Sequence, residues 1–376
     1  MLLLEMLHHA ALVIAVSFAA LVAPVGDRIH TLFADQSDAD FIALRSTNPG
    51  GDSESASRSP ADILLRDADF QQAAILAAKE PSYDYAAPDP LETEELLRES
   101  LVNVFCQYST DEYTRTTTGT GFFIHPKGVI LTNAHVAQFL LLEKTAAAGG
   151  ETKCIIRTGN PAEPRYDAEL LYISPTWIFN NASLITEEHP RGTGERDYAL
   201  LYVSASLTNS PLPDHFPALP LDVALLPRST EGNTVVTGGY PARVLLRNGS
   251  DAALAPVVAQ STVESLYTFG SNYADLFAIA SSPVGEEGAS GGPIVAADTG
   301  KTIGLIVTRG DTAEGERSLR ALTLSYLDRT MQEETGFSLA NNMQGDLALR
   351  GDVFTRAIAP FLAGILTEAL EGKKQE

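Results

Sequence analysis

The chain is poor in cysteine, with Cys106 and Cys154 its only two in 376 residues. That excludes a multi-disulfide scaffold, and no Cys-x-x-Cys pair exists to hold zinc or exchange dithiols. One bridge or two buried thiols remain open. No His-x-x-x-His pair occurs either, so no metal site is expected, and no motif calls for a cofactor. Basic residues are scarce: 26 Lys and Arg stand against 48 Asp and Glu, for a formal charge of −22. Nucleic-acid binding needs a basic footprint and is excluded on that ground; the balance fits a soluble surface outside the cytoplasm. All seven histidines, His8, His9, His30, His125, His135, His189 and His215, lie in the first 215 residues. No repeat at a solenoid period is present.

Late in the chain stands Gly288-Ala289-Ser290-Gly291-Gly292-Pro293. A serine hydroxyl is a poor nucleophile until a neighbouring base takes its proton. A tetrahedral intermediate also needs donors aimed at its oxyanion. Glycines around Ser290 let the backbone turn tightly, so that the N–H groups of Gly288 and Ser290 can converge. An ordinary glycine turn between strands would read the same. The run also fits the Gly-x-Ser-x-Gly elbow of α/β-hydrolases, but those enzymes place their histidine after the serine. No histidine follows Ser290, so that reading fails on order. The order Asp, His, Ser would need an early aspartate, and Asp35, Asp38 and Asp40 lie in a polar stretch unlike a core strand.

Upstream, Gly119–Ile124 reads as a buried strand, 125–128 as a turn and Val129–Asn133 as the returning strand. His135, in Thr132-Asn133-Ala134-His135, follows that strand end, where an imidazole can reach a cleft. Asp197 opens the apolar run 198–203; alone it would be a turn or cap residue. Facing His135, it would fix the imidazole tautomer and stabilise the imidazolium. The chain order is therefore His, Asp, Ser.

These three boxes resemble the chymotrypsin-fold, or trypsin-like, serine proteases, in particular the bacterial HtrA-like and glutamyl-endopeptidase-like branches. The likeness spans roughly 101–327. It implies an all-β fold of two six-stranded antiparallel barrels with the active site between them. By resemblance His135 is the general base, Asp197 its orienter and Ser290 the nucleophile of a serine endopeptidase, with Gly288 and Ser290 N–H groups as the oxyanion hole. Thr308 resembles the serine-like position that touches the buried aspartate, and the strand Thr308-Arg309-Gly310 would pair with substrate backbone. Val284 falls near the floor of the pocket for the side chain before the cut. An apolar floor favours small or medium aliphatic side chains; Glu286 and Glu287 could instead attract a basic one. The resemblance also makes the strands of Cys106 and Cys154 neighbours, and so implies a bridge worth about 3–5 kcal/mol. Two departures stand out. Ala289 occupies the place where animal trypsins carry the aspartate that receives a freed N-terminus, so activation by that ion pair is not expected. The tail is too short for the PDZ domain that HtrA-type enzymes carry.

The expected organisation has four parts. Residues 1–25 form a signal peptide or membrane anchor, nearly all apolar from Ala10 to Val25, with Ser17-Phe18-Ala19 a candidate cleavage site and basic flanking residues missing. This predicts export, with release or membrane attachment open. Residues 26–95 form an acidic linker or pro-region with a helix over 63–78 and another over 91–97. The protease domain covers 96–330, barrel one over about 100–205 and barrel two over about 215–330. The tail, 331–376, carries Phe354, Ile358, Phe361, Ile365 and Ala369 at helical spacing, Asp352 as candidate cap and Pro360 as a kink. The alternatives are a catalytically silent peptide-binding protein of this fold, which would typically lack a triad residue, and a latent precursor blocked by its N-terminal segment.

Overall fold

The computed structural model describes residues 89–372, apart from 111–113, 145–149, 188–191, 244, 246–248, 250–251, 286 and 312–316; for 90, 308–311, 317 and 318 it describes the backbone alone. The expected leader, linker and 63–78 helix lie outside the described residues.

Twelve strands close into two barrels. Barrel one has the order β1 (Leu101–Ser109), β2 (Thr114–His125), β3 (Val129–Thr132), β6 (Ala199–Ser206), β5 (Glu163–Ile173), β4 (Glu151–Thr158). Barrel two runs β10 (Pro293–Ala296), β11 (Thr302–Asp311), β12 (Arg317–Thr323), β9 (Leu276–Ile279), β8 (Val257–Tyr267), β7 (Thr234–Gly239). Every pairing within them is antiparallel. Closure gives every strand two neighbours over at least part of its length. Strand composition explains the layers. β3 (Val-Ile-Leu-Thr) and β9 (Leu-Phe-Ala-Ile) are buried throughout, whereas β4 starts with an exposed–buried alternation that turns Thr152, Cys154 and Ile156 inward. Cys106 and Cys154 sit directly opposite each other on β1 and β4 and form a disulfide closing 48 residues.

Helix α1 (Pro90–Ser100) starts from an Asp89 cap, whose carboxylate accepts the Leu91 N–H at 2.9 Å, with proline at the first position. Its Leu97 side chain, with Leu101, lies against Gly238 of β7, where a side chain on the glycine would collide with Leu97. Two short helices, α2 (Ala134–Ala137) and α3 (Pro175–Asn181), follow in barrel one.

The tail is more elaborate than one helix. After β12 come α4 (Leu324–Thr335), α5 (Leu339–Asn342), α6 (Leu347–Ala357) and α7 (Ala359–Gly372). Helix α4 is capped by Thr323, whose hydroxyl accepts the Tyr326 N–H at 3.1 Å. It is pinned to barrel two by Arg329, 2.6 Å from the fully buried Asp275. The cap of α6 is Asp346, which accepts the Leu349 N–H at 3.0 Å; this corrects the expectation of Asp352. Asp352 lies mid-helix and pairs with Arg356 at 2.7 Å. Helices α6 and α7 meet at a 49° bend just before Pro360, because proline removes a helical donor and crowds the preceding turn. Phe354, Leu362, Ala363 and Leu366 are buried in the barrel-one core. No single helix among the described residues is long and apolar enough to cross a membrane.

Candidate active site

His135 lies in α2, immediately after β3, and Asp197 lies just before β6, the strand that pairs with β3. The Thr132↔Ala199 pairing brings the two strand ends together, so residues 62 apart in sequence meet. Asp197 holds His135 with both oxygens: Oδ1 accepts the His135 backbone N–H at 2.9 Å and Oδ2 meets the ring Nδ1 at 2.6 Å. A carboxylate only accepts, so Nδ1 carries the proton and Nε2 keeps its lone pair. The Asp197 side chain is 6% exposed and that of His135 22%. Burial lowers the histidine's pKa, but the charge and hydrogen bond of Asp197 outweigh it and hold the imidazolium form above the ordinary histidine value. Asn133 donates to the Asp197 carbonyl at 2.8 Å and Gln138 to the His135 carbonyl at 2.9 Å. The Asn133 and Gln138 amides thereby anchor the backbone at both residues of the pair.

The turn before Asp197 is held from the far side. Arg196 has left-handed backbone (φ 56°), uncommon without glycine. Its guanidinium pairs with Glu334 at 3.0 Å and Glu333 at 2.8 Å, both on α4. Glu334 also accepts from Ser174 at 3.0 Å and from the Tyr172 hydroxyl, and Tyr198 shares a 2.7 Å bond with Thr330. Burial keeps both phenols protonated well beyond their usual range. Helix α4 thus clamps the residues on both sides of Asp197 in sequence.

Ser290 sits on the loop between β9 and β10 and is partly exposed. Its carbonyl accepts the Thr120 N–H at 2.8 Å, and Thr120's own carbonyl accepts the Thr132 hydroxyl at 2.7 Å, three residues ahead of His135. The serine loop is therefore seated on the strand pair that carries the histidine. Among the described residues no hydrogen bond joins the Ser290 hydroxyl to the imidazole; such contacts are often loose without substrate and tighten when it binds. Gly288 (φ 91°) and Gly291 (φ 87°) have backbone that other residues rarely adopt, and a Cβ on Gly291 would lie 1.9 Å from the Thr120 oxygen. The N–H groups of Gly288 and Ser290 have no hydrogen-bond partner among the described residues.

Of the remaining expected residues, Thr308, Arg309 and Gly310 lie on β11, opposite Arg320, Leu319 and Ser318 of β12. Along the other edge of β11, Gly291 and Gly292 bond Ile306; beyond it no strand pairs with β11 among the described residues. Val284 is 0% exposed in the core of barrel two, together with Ala289 and Leu319. Thr120 and the α4 clamp were not among the sequence candidates. Thr120 has only the signal of a hydroxyl between Gly119 and Gly121 in a buried strand.

Among the described residues, no three metal-ligating side chains cluster. No curated protein matches the chain. One solved structure that it resembles is the serine endoprotease from Yersinia pestis, 18% identical, covering 66% of this chain and 68% of that one, with a TM-score of 0.40. Residues 119–305, which include His135, Asp197 and Ser290, match the model of the trypsin-like peptidase domain. With that match and two closed six-stranded antiparallel barrels, the chain carries a trypsin-like peptidase domain.

Proposed function

We propose that this chain is a serine endopeptidase that cleaves peptide bonds through an acyl-enzyme on Ser290. The observation that carries the reading is the two-pronged grip of Asp197 on His135, which leaves Nε2 as the free base. In the proposed reaction the Ser290 oxygen attacks the scissile carbonyl while Nε2 takes the hydroxyl proton. The oxyanion that forms is met by the unpartnered N–H groups of Gly288 and Ser290. Collapse breaks the C–N bond, and the imidazolium passes its proton to the leaving amine. Water, deprotonated by the same Nε2, then releases the acid and restores Ser290. Asp197 stays ionised and stabilises the imidazolium during both halves.

Substrate backbone would add as a strand along Thr308-Arg309-Gly310, where one edge of β11 has no partner among the described residues. Buried Val284 argues for an apolar surrounding and for small or medium aliphatic side chains before the cut. The apolar segment 1–25 and the Cys106–Cys154 disulfide support action outside the cytoplasm, released or anchored.

The experiment is acylation by an activated ester, run on the full chain and on a chain starting near residue 96. One acyl group per folded chain, located on the peptide containing Ser290, supports the reading. Acylation of the shorter chain alone makes the full chain a latent precursor. None in either, with both folded, leaves a peptide-binding protein of this fold.

A further inference from the structure

The loop that carries Ser290 is intrinsically pliable, since glycines at 288, 291 and 292 surround it. Ala289, beside the serine, brings no charge and is buried among apolar side chains. What fixes it is a set of bonds to four consecutive carbonyls. The Glu287 oxygen accepts from Ala242 N at 2.6 Å and the Ala289 oxygen from Gly292 N at 2.9 Å. The Gly288 oxygen accepts from the Thr120 hydroxyl at 2.6 Å and the Ser290 oxygen from Thr120 N at 2.8 Å. In a trans peptide the C=O and the next N–H point in opposite directions. Bonding the Glu287 and Ala289 oxygens therefore aims the N–H groups of Gly288 and Ser290, and bonding the two oxygens between and after them stops the loop from turning over.

Two of these four bonds come from one residue. The Thr120 hydroxyl is fully buried and its direction is forced: Tyr240 N, which can only donate, occupies its lone pair at 2.9 Å, so its proton goes to Gly288. The Thr120 carbonyl is in turn held by Thr132, next to the histidine helix. One side chain thus joins the nucleophile loop, the end of β7 and, through its backbone, the strand leading to His135.

We propose that Thr120 is a positioning residue of this site: its hydroxyl clamps the Gly288–Ala289 peptide so that both oxyanion N–H groups are aimed before substrate arrives. The proposal rests on the reading of Ser290 as nucleophile, and the test separates the two. Thr120→Val keeps shape and volume but loses the donor and the acceptor; Thr120→Ser keeps both. The measurements, on the full chain, are kcat and KM for a peptide substrate and the rate of fluorophosphonate labelling. Removing an oxyanion donor outright costs roughly 10²–10³ in kcat; a loosened one is expected to cost about tenfold or more in Thr120→Val, with KM within about twofold. Thr120→Ser stays within about threefold of wild type. Thr120→Ala replaces the valine variant if that does not fold. Labelling and kcat at the wild-type level in Thr120→Val overturn the clamp, as does an equal loss in Thr120→Ser. If the wild type is never labelled, the reading of Ser290 fails by itself. The clamp is then judged by amide exchange at 288–292: faster in Thr120→Val supports it, and equal rates overturn it.

Discussion

Asp197→Asn tests the histidine–aspartate pair with little change in volume, and the backbone dictates how the new amide must sit. The His135 N–H can only donate, and it faces Oδ1 of residue 197 at 2.9 Å. The amide must place its oxygen there, which turns its NH2 group toward Nδ1 at the 2.6 Å contact. Nδ1 then has to accept, so the ring proton moves to Nε2, and the base that should take the Ser290 proton is blocked. The expected loss in kcat is roughly 10⁴-fold, equivalent to about 5.5 kcal/mol of transition-state stabilisation. The pH dependence must change with it. Asp197 holds the His135 pKa above its ordinary value despite burial. In the wild type this pair therefore adds stability in full below about pH 6.5, lost as the pH rises through the folded-state value. In Asp197→Asn only the lowering effect of burial remains. Residual activity then has its acid limb at lower pH, and the stabilisation at acid pH disappears. The assay is kcat/KM for a peptide ester from pH 5 to 9, with urea melts at both ends. A folded variant that retains more than a tenth of wild-type kcat, or an unmoved acid limb, refutes the reasoning.

Three further outcomes are expected. Replacing Cys106 and Cys154 together by alanine removes a cross-link closing 48 residues and should cost about 4 kcal/mol in urea unfolding; a loss below about 1 kcal/mol would count against it. Glu334→Gln removes the charge that pairs with Arg196 and weakens the acceptor for Ser174 and Tyr172. It should cost about 2–3 kcal/mol and lower kcat more than it raises KM; stability and kinetics both at wild-type level would show that α4 does not hold the Asp197 turn. Gly291→Ala must adopt φ 87° and place its Cβ against the Thr120 oxygen. An inactive protein, less stable by at least about 2 kcal/mol, is expected, measured by thermal melting and ester hydrolysis.

Much of the protein was legible in its sequence because the signals are local. The strands that carry the site announce themselves as apolar runs, 119–124, 129–133 and 198–203, and each of His135, Asp197 and Ser290 carries its own motif. What was hidden depends on contacts between distant residues. The anchoring of Arg196 by Glu334 joins positions 138 apart, and nothing in the polar run 328–335 signals that one face is buried. Thr120 acts through residues 120 and 168 positions away, with no spacing to betray it. In the tail Pro360 signals the bend that the structure shows, but the apolar spacing does not mark where one helix ends. Phe354, Ile358, Phe361 and Ile365 keep helical spacing straight through the bend at Pro360, so periodicity could not separate α6 from α7. Of two aspartates in capping position, Asp346 has the free backbone donor of Leu349 before it, whereas Asp352 lies a turn and a half into the helix.

The central claim is an activated serine at position 290, and fluorophosphonate labelling of the folded full chain, followed by intact-mass measurement, tests it most directly. The account predicts one adduct per chain on Ser290, with none on Ser290→Ala. Absence of any adduct on the folded wild type, or an adduct that survives in Ser290→Ala, would contradict it.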